Sequence, residues 1–414
     1  MRGLEPAVRD VLDRRLLPAS PRPIAVALSG GGDSLALTLI ADAWARDAGR
    51  DLAILTVDHR LRAESADWTT QCAAVAARLG RPFHALSWEG DKPLAGLPAA
   101  ARAARHRLLA NAARGLGARV ILMGHTADDV AEAHAMRAAG STTPDPRAWA
   151  PSPVWPEGRG VFLLRPMLNQ SRADLRAWLS ARGETWVDDP ANEDQRFARA
   201  RARAGGTSGV AVDDDASPRE LAGLAQHADA GIHLPRKALR AAPLDEVVRV
   251  LALACVCAGG GERRPATERL RRLADALHGD APFVATLAGA RIEAGDIDVD
   301  IFREAGEFHR RSAPPMALPA NLDVVWDGRY AVTARRDGLT MRPVAGVAAR
   351  LPPQEQALLS QTPASRRGSG PAVIYPDGAV SLALVGRAGD DVEIAPIVRG
   401  RFEAAAGLVQ REPA

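Results

Sequence analysis

The chain has 414 residues, 47% hydrophobic and 25% charged, with a formal net charge of +3. This composition is near the average for folded soluble proteins, and the length exceeds one ordinary core, so two or three domains are expected. The small positive balance permits a nucleic-acid partner without demanding one. Three cysteines, Cys72, Cys255 and Cys257, give no disulfide framework, and without a C-x-x-C pair a zinc or iron–sulfur site is not expected. No apolar run is long enough to span a membrane, and the first twenty residues lack the apolar stretch of a signal peptide, so a cytoplasmic protein is expected. The only lysines are Lys92 and Lys237. The excess of arginine suits phosphate recognition, and a GC-rich genome accounts for the same bias.

In chain order, residues 24–28 form a short apolar run ending in glycines, which reads as a buried strand, and Ser34 to Ala48 reads as a helix. Strands at 52–57, 83–88 and 120–123 alternate with helices at 67–79, 97–113 and 127–137. This alternation predicts βαβ units and a parallel, Rossmann-like sheet, whose ligands lie beyond the carboxyl ends of the strands. A Pro/Gly/Ser/Thr-rich loop covers 140–160, followed by an apolar run at 161–164. Ser171 is placed to cap a helix running to Arg182, with Asp174 at the capping-box position. The Gly/Ser/Asp segment 206–217 reads as a linker. Residues 218–230, 243–258 and 265–277 look helical, and β-like runs appear from about 283, at 283–287, 324–326 and 372–375. The expected domains are therefore an α/β unit at 1–205, a mainly helical one at 218–315, and a small α+β one at 316–414.

The segment IAVALSGGGDS, residues 24–34, carries the chemistry. Gly30, Gly31 and Gly32 let the backbone turn tightly and present its amides. The following helix start adds positive potential, and Ser29 and Ser34 add hydroxyls. Together they form a cradle for phosphate or pyrophosphate. Asp33 repels a bare phosphate but can hold the Mg²⁺ that accompanies one. Neither a G-x-x-x-x-G-K-[ST] loop nor a G-x-G-x-x-G fingerprint is present here.

This S-G-G-x-D-S element after a first strand resembles the PP-loop of the N-type ATP pyrophosphatases, which cleave ATP between its α- and β-phosphates. Four further segments are similar to the tRNA(Ile)-lysidine synthetase family. VDHRLR with Ser65 resembles the pattern V-D-H-G-L-R-x-x-S and puts Asp58 and His59 at a strand end, near the nucleotide. A polar loop with a helix cap at Ser65 explains the same residues. Residues 100–106 resemble A-A-R-x-x-R-Y, with Arg102 and Arg105 on one helix face and His106 in place of tyrosine. An exposed, solvated arginine face is the plainer reading. GHTADDVAEA, residues 124–133, resembles G-H-H-x-D-D-Q-x-E-T. It puts His125 at a strand end and Asp128, Asp129 and Glu132 at the next helix start, where acidic residues are also favoured by the helix dipole. Residues 164–168, 186–192 and 197–203 are similar to R-P-L-L, W-x-x-D-P-S-N and F-x-R-N-x-x-R, offering Arg199, Arg201 and Arg203 to phosphate. Fainter likenesses lie at 286–291 and 326–329.

The resemblance implies a ligase that uses ATP and Mg²⁺ to join L-lysine to the wobble cytidine of a tRNA(Ile) with a CAU anticodon, passing through an adenylated base. It implies catalytic roles for Asp33, Arg102, His125 and Asp129, and nucleotide contacts from Ser29 to Ser34 with Asp58 and His59. It further implies substrate contacts from Arg105, Asp128, Asp129, Glu132, Arg199 and Arg203. Two copies could pair as a homodimer. The rival readings are another PP-loop tRNA-modifying enzyme and a non-catalytic tRNA-binding relative. The cytidine-thiolating type requires cysteine pairs that this sequence lacks.

Overall fold

The computed structural model describes residues 3–187 and 218–414, apart from 63, 139, 141–145, 155, 312–313 and 385–387. The chain divides into two compact units, 1–217 together with 409–414, and 218–408.

Unit 1 alternates helices and strands: α1 (Leu4–Arg15), β1 (Ile24–Ala27), α2 (Gly32–Asp47), β2 (Leu52–Asp58), α3 (Ser65–Leu79), β3 (Phe83–Ser87), α4 (Leu97–Gly115), β4 (Val120–Leu122), α5 (Ala127–Ala138), β5 (Trp149–Pro151), β6 (Phe162–Leu164) and α6 (Arg172–Ser180). Its six-stranded sheet runs β3-β2-β1-β4-β6-β5. All neighbours are parallel except β5, which pairs antiparallel with β6 at the edge. β1 lies between β2 and β4, so the strand order reverses beside it, the position where doubly wound sheets open a ligand site. Ile24, Ala25 and Val26 are buried, as expected for a central parallel strand. The helix after it buries Leu35, Leu37, Ile40 and Trp44, which anchors its N-terminus firmly at the β1 end. The Ser171 cap forms as expected: its Oγ accepts from the Asp174 amide at 3.1 Å, and the helix ends at Ser180.

Residues 409–414 complete unit 1. The Glu412 carboxylate meets the Arg50 guanidinium at 2.9 and 3.0 Å, with both side chains fully buried. The Leu17 amide donates to Glu412 at 2.9 Å, the Glu412 amide to Arg15 O at 2.7 Å, and Trp149 Nε1 to Val409 O at 2.6 Å.

Unit 2 holds a five-stranded antiparallel sheet, β7-β8-β11-β10-β9, built from β7 (Gln226–Ala228), β8 (Gly231–Pro235), β9 (Phe283–Leu287), β10 (Ala290–Ala294) and β11 (Asp298–Arg303). The segment 218–315, expected to be mainly helical, thus carries a sheet beside its helices Leu244–Ala258 and Thr267–His278. Residues 218–230, read as one helix, are a four-residue helix, Arg219–Ala222, and then the first strand of a hairpin. Asp229 and Ala230 make its two-residue turn with φ of 49° and 55°, a conformation usually marked by Asn or Gly. Two small sheets follow. One is β12 (Met316–Leu318), β15 (Leu339–Pro343), β16 (Pro371–Ile374) and β17 (Val380–Leu382); the other is β13 (Asp323–Trp326), β14 (Tyr330–Ala334) and β18 (Val392–Pro396). One apolar core, including Ile232, Leu251, Ile292, Ile301, Val332 and Phe402, runs through both halves of this unit. The faint family likenesses at 286–291 and 326–329 have structural roles here. The first is the β9–β10 hairpin. In the second, Asp327 bridges the buried Arg303 and Arg329 at 2.8 and 2.7 Å.

Candidate active site

The loop between β1 and α2 is shaped by its own side chains. Ser34 Oγ donates to Gly31 O at 2.9 Å and accepts from the Ser29 amide at 3.1 Å, with Ser29 Oγ 3.0 Å away. Gly30 has φ +87°, which an L side chain resists. The first amides of α2, from Gly32 onward, have no carbonyl of their own helix to bond. Two neighbours pack on the loop. Val187 donates its amide to Gly30 O at 3.0 Å, and a Cβ on Gly32 would meet the Trp186 ring at 3.4 Å.

The turn after β4 presses on the same helix start. A Cβ at Gly124 would lie 2.9 Å from Ser34 Cα and 3.0 Å from Ser34 N, so only glycine fits. Behind it, Thr126 and Asp129 form a capping pair: Asp129 Oδ2 accepts from the Thr126 amide at 2.9 Å and its Oγ1 at 3.1 Å. This sets Asp128, Asp129 and Glu132 beside Asp33.

One residue joins these acids. Arg172, the first residue of α6, donates from Nε to Asp33 Oδ2 at 3.0 Å and from Nη1 to Glu132 Oε1 at 3.4 Å, with Nη2 3.8 Å from Asp129 Oδ2. Its backbone amide donates to Asp128 Oδ2 at 2.8 Å. Burial alone would lower the Arg172 pKa, but Asp33, Asp129 and Glu132 outweigh it and raise it, so the guanidinium stays charged. Burial raises the Asp33 carboxyl above its ordinary range, with Asp129 adding to the rise and Arg172 opposing it. Three carboxylates surround one guanidinium, leaving a formal surplus of negative charge that attracts cations. Asp33 offers hard oxygen donors next to the phosphate-shaped loop, which fits a Mg²⁺ held by one carboxylate and substrate oxygens.

The opposite sign gathers close by. Arg165 is 6% exposed; burial first, then Arg102 and Arg105, lower its pKa to about 10, so it is still cationic at neutral pH. Its Nε–H donates to His125 Nδ1 at 3.2 Å, leaving His125 Nε2 as the donor. Burial, Arg105, Arg102, Arg165 and His125 together push the pKa of His106 down to about 2. Arg102, Arg105 and His125 thus gather around His106, and Arg102 and Arg105 also act on Arg165. His59 stands edge-on to Trp88 with ring centroids 6.1 Å apart, and burial, Arg105 and Lys92 lower its pKa against the pull of Asp58. Asp58 Oδ1 accepts from the Arg60 amide at 2.7 Å, which holds Arg60 at φ 51°.

Arg199, Arg201 and Arg203 lie outside the described residues. The residue that sequence reasoning missed is Arg172. The available signal was an arginine in the first turn of a helix, where the dipole disfavours a cation unless acids stand nearby.

Residues 4–205 match the family described as PP-loop domain. The chain is 47% identical over 411 residues to a tRNA(Ile)-lysidine synthase of Caulobacter vibrioides, covering 98% of each chain. It is 35% identical over 317 residues to one of Hyphomonas neptunium, covering 71% of this chain and 85% of that one. Among solved structures, a U34-tRNA thiolase of Methanococcus maripaludis overlays on 49% of this chain and 71% of its own, at 14% identity and a TM-score of 0.41. The chain belongs to the tRNA(Ile)-lysidine synthase family.

Proposed function

We propose that the protein joins L-lysine to C2 of the wobble cytidine in the CAU anticodon of an isoleucine tRNA, at the expense of ATP. The cytosine 2-carbonyl oxygen attacks the α-phosphate, the bond to the β-phosphate breaks, and pyrophosphate leaves. The ε-amine of lysine then attacks C2 and displaces AMP. The amides of residues 30–33 and the hydroxyls of Ser29 and Ser34 hold the departing pyrophosphate. Asp33 would hold Mg²⁺, which when bound offsets negative charge on the phosphate oxygens. Arg102 and Arg165 add positive charge that would offset the same developing charge. Asp129 and Glu132 attract the lysine ammonium and orient it as it loses a proton. Asp128 accepts the Arg172 amide and thereby also fixes the start of α6. A tRNA substrate also implies a cytoplasmic location.

The observation that carries this reading is the pairing, through Arg172, of the glycine-loop aspartate with Asp129 and Glu132. It supports the reading by bringing a loop that suits phosphate next to acids that suit an amine, as a reaction of ATP with an amine requires. The test is ATP-dependent incorporation of radiolabelled lysine into unmodified tRNA(Ile) bearing CAU. Labelling that disappears with Asp33→Ala and on chelation of Mg²⁺ is expected. tRNA binding without labelling would overturn the reading.

A further inference from the structure

Arg172 is costly where it stands. Its cation sits at the positive end of α6, and its side chain is only 19% exposed. Among the described residues, both penalties are offset through Asp33, Asp129 and Glu132, whose side chains are 21%, 21% and 5% exposed. The three contacts are unequal, at 3.0, 3.8 and 3.4 Å. The Asp33 contact is an ordinary hydrogen bond, whereas those to Glu132 and Asp129 exceed the roughly 2.7–2.9 Å of a strong charge-assisted bond, so one guanidinium spread over acids from two helices holds two of them loosely. Without it those acids would repel one another and separate. The side chain has the charge and the position of a cation bound in this cluster, and it is tethered to the protein.

We propose that Arg172 is a positioning residue that acts as a resident counter-cation. It holds Asp33 toward Asp129 and Glu132 in the ligand-free enzyme, and it yields Asp33 to the divalent cation that arrives with the nucleotide. Released from Asp33, it remains beside Glu132 and Asp129 and keeps their carboxylates oriented. Metal binding is therefore an exchange of one cation for another, and Arg172 sets the concentration at which it occurs. This rests on the reading of Asp33 as a metal-holding carboxylate.

The experiment titrates Mn²⁺ into the full chain without nucleotide, tRNA or lysine, following free Mn²⁺ by electron paramagnetic resonance. Arg172→Met is expected to bind Mn²⁺ at least ten-fold tighter than wild type. Arg172→Lys, which keeps one charge but cannot span the acids, is expected to fall between them. Adding Asp33→Asn to Arg172→Met should abolish the gain. If Arg172→Met is too unstable to titrate, the Arg172→Lys arm decides alone, with a tightening of about three-fold expected. Unchanged or weaker Mn²⁺ binding, or a gain that survives Asp33→Asn, overturns the proposal. Because no ligation is measured, failure of the lysine-transfer reading would appear separately, in the labelling assay. In that assay Arg172→Lys should lower the Mg²⁺ concentration for half-activation while also lowering kcat, a split that a purely structural loss would not produce.

Discussion

Replacing Gly124 by alanine tests whether the β4 turn sets the position of the glycine loop. The added methyl would stand 2.9 Å from Ser34 Cα, 3.0 Å from Ser34 N and 3.2 Å from Asp33 C, all backbone atoms that no rotamer change can move. Carbon atoms pack at roughly 3.5–4.0 Å, so the start of α2 must retreat by about half an ångström or more. Overpacking of this kind costs about 1–3 kcal/mol of stability. The retreat carries Asp33 and the amides of α2 away from the place proposed for the nucleotide, and a misplacement near 1 Å can cost on the order of 10²-fold in rate. The assay is kcat/KM for ATP in lysine incorporation, alongside a urea unfolding curve. A fall of roughly 10- to 100-fold is expected, with a lower unfolding midpoint. Gly115→Ala is the control: the site is exposed, has nothing within 4 Å, and ends the long helix α4. It should be neutral or gain up to about 1 kcal/mol. Destabilised Gly124→Ala with kcat/KM within two-fold of wild type would refute the link between this turn and the loop.

Three further outcomes follow from the geometry. His106 has a pKa of about 2 when folded and 6.5 when free, so the unfolded chain alone takes up its proton as pH falls below 6.5. Stability from this group is complete above that value and is lost on acidification, by about 1.4 kcal/mol per pH unit. His106→Phe should remove on the order of 2 kcal/mol of the stability change between pH 7 and pH 5, and parallel wild-type and variant profiles would contradict this. Glu412→Ala leaves the fully buried Arg50 guanidinium without its carboxylate and should cost about 3–5 kcal/mol in urea unfolding, against near-neutrality if the pair contributes nothing. Arg165→Ala removes the cation beside His125 and should weaken tRNA binding in filter retention more at low salt than at high salt; an equal loss at both would point to a local packing defect.

The parts of the molecule legible from sequence were those encoded locally. The apolar run at 24–28, its glycines and the helix after them determine one another through short-range sterics, and they fold as read. Ser171 and Asp174 likewise form their cap within four residues. The acids at 128–132 could be assigned to a helix start from spacing alone. Their shared partner could not, because Arg172 is 40 residues from Glu132 and 139 from Asp33, and no periodicity spans that distance. Gly124 was legible as part of a motif, while its contact with Ser34 belongs to the packed sheet. The hairpin at 226–235 escaped because Asp229 and Ala230 adopt left-handed backbone without glycine, a strain supplied by the surrounding sheet.

The return of residues 409–414 to unit 1 has a consequence for synthesis on the ribosome. Arg50 emerges early, yet the carboxylate that neutralises it lies 362 residues later. Until residue 412 has been made, unit 1 must either leave Arg50 in water or bury its charge against the carbonyls of Leu17 and Arg22 alone, and the Leu17 amide and the Trp149 indole lack the partners that residues 409–412 supply. A chain cut short anywhere within unit 2 would therefore contain the whole glycine loop but lack the carboxylate that neutralises Arg50 at the amino ends of β1 and β2. The position of Glu412 thus puts the neutralising charge of the first-made unit among residues made only after unit 2.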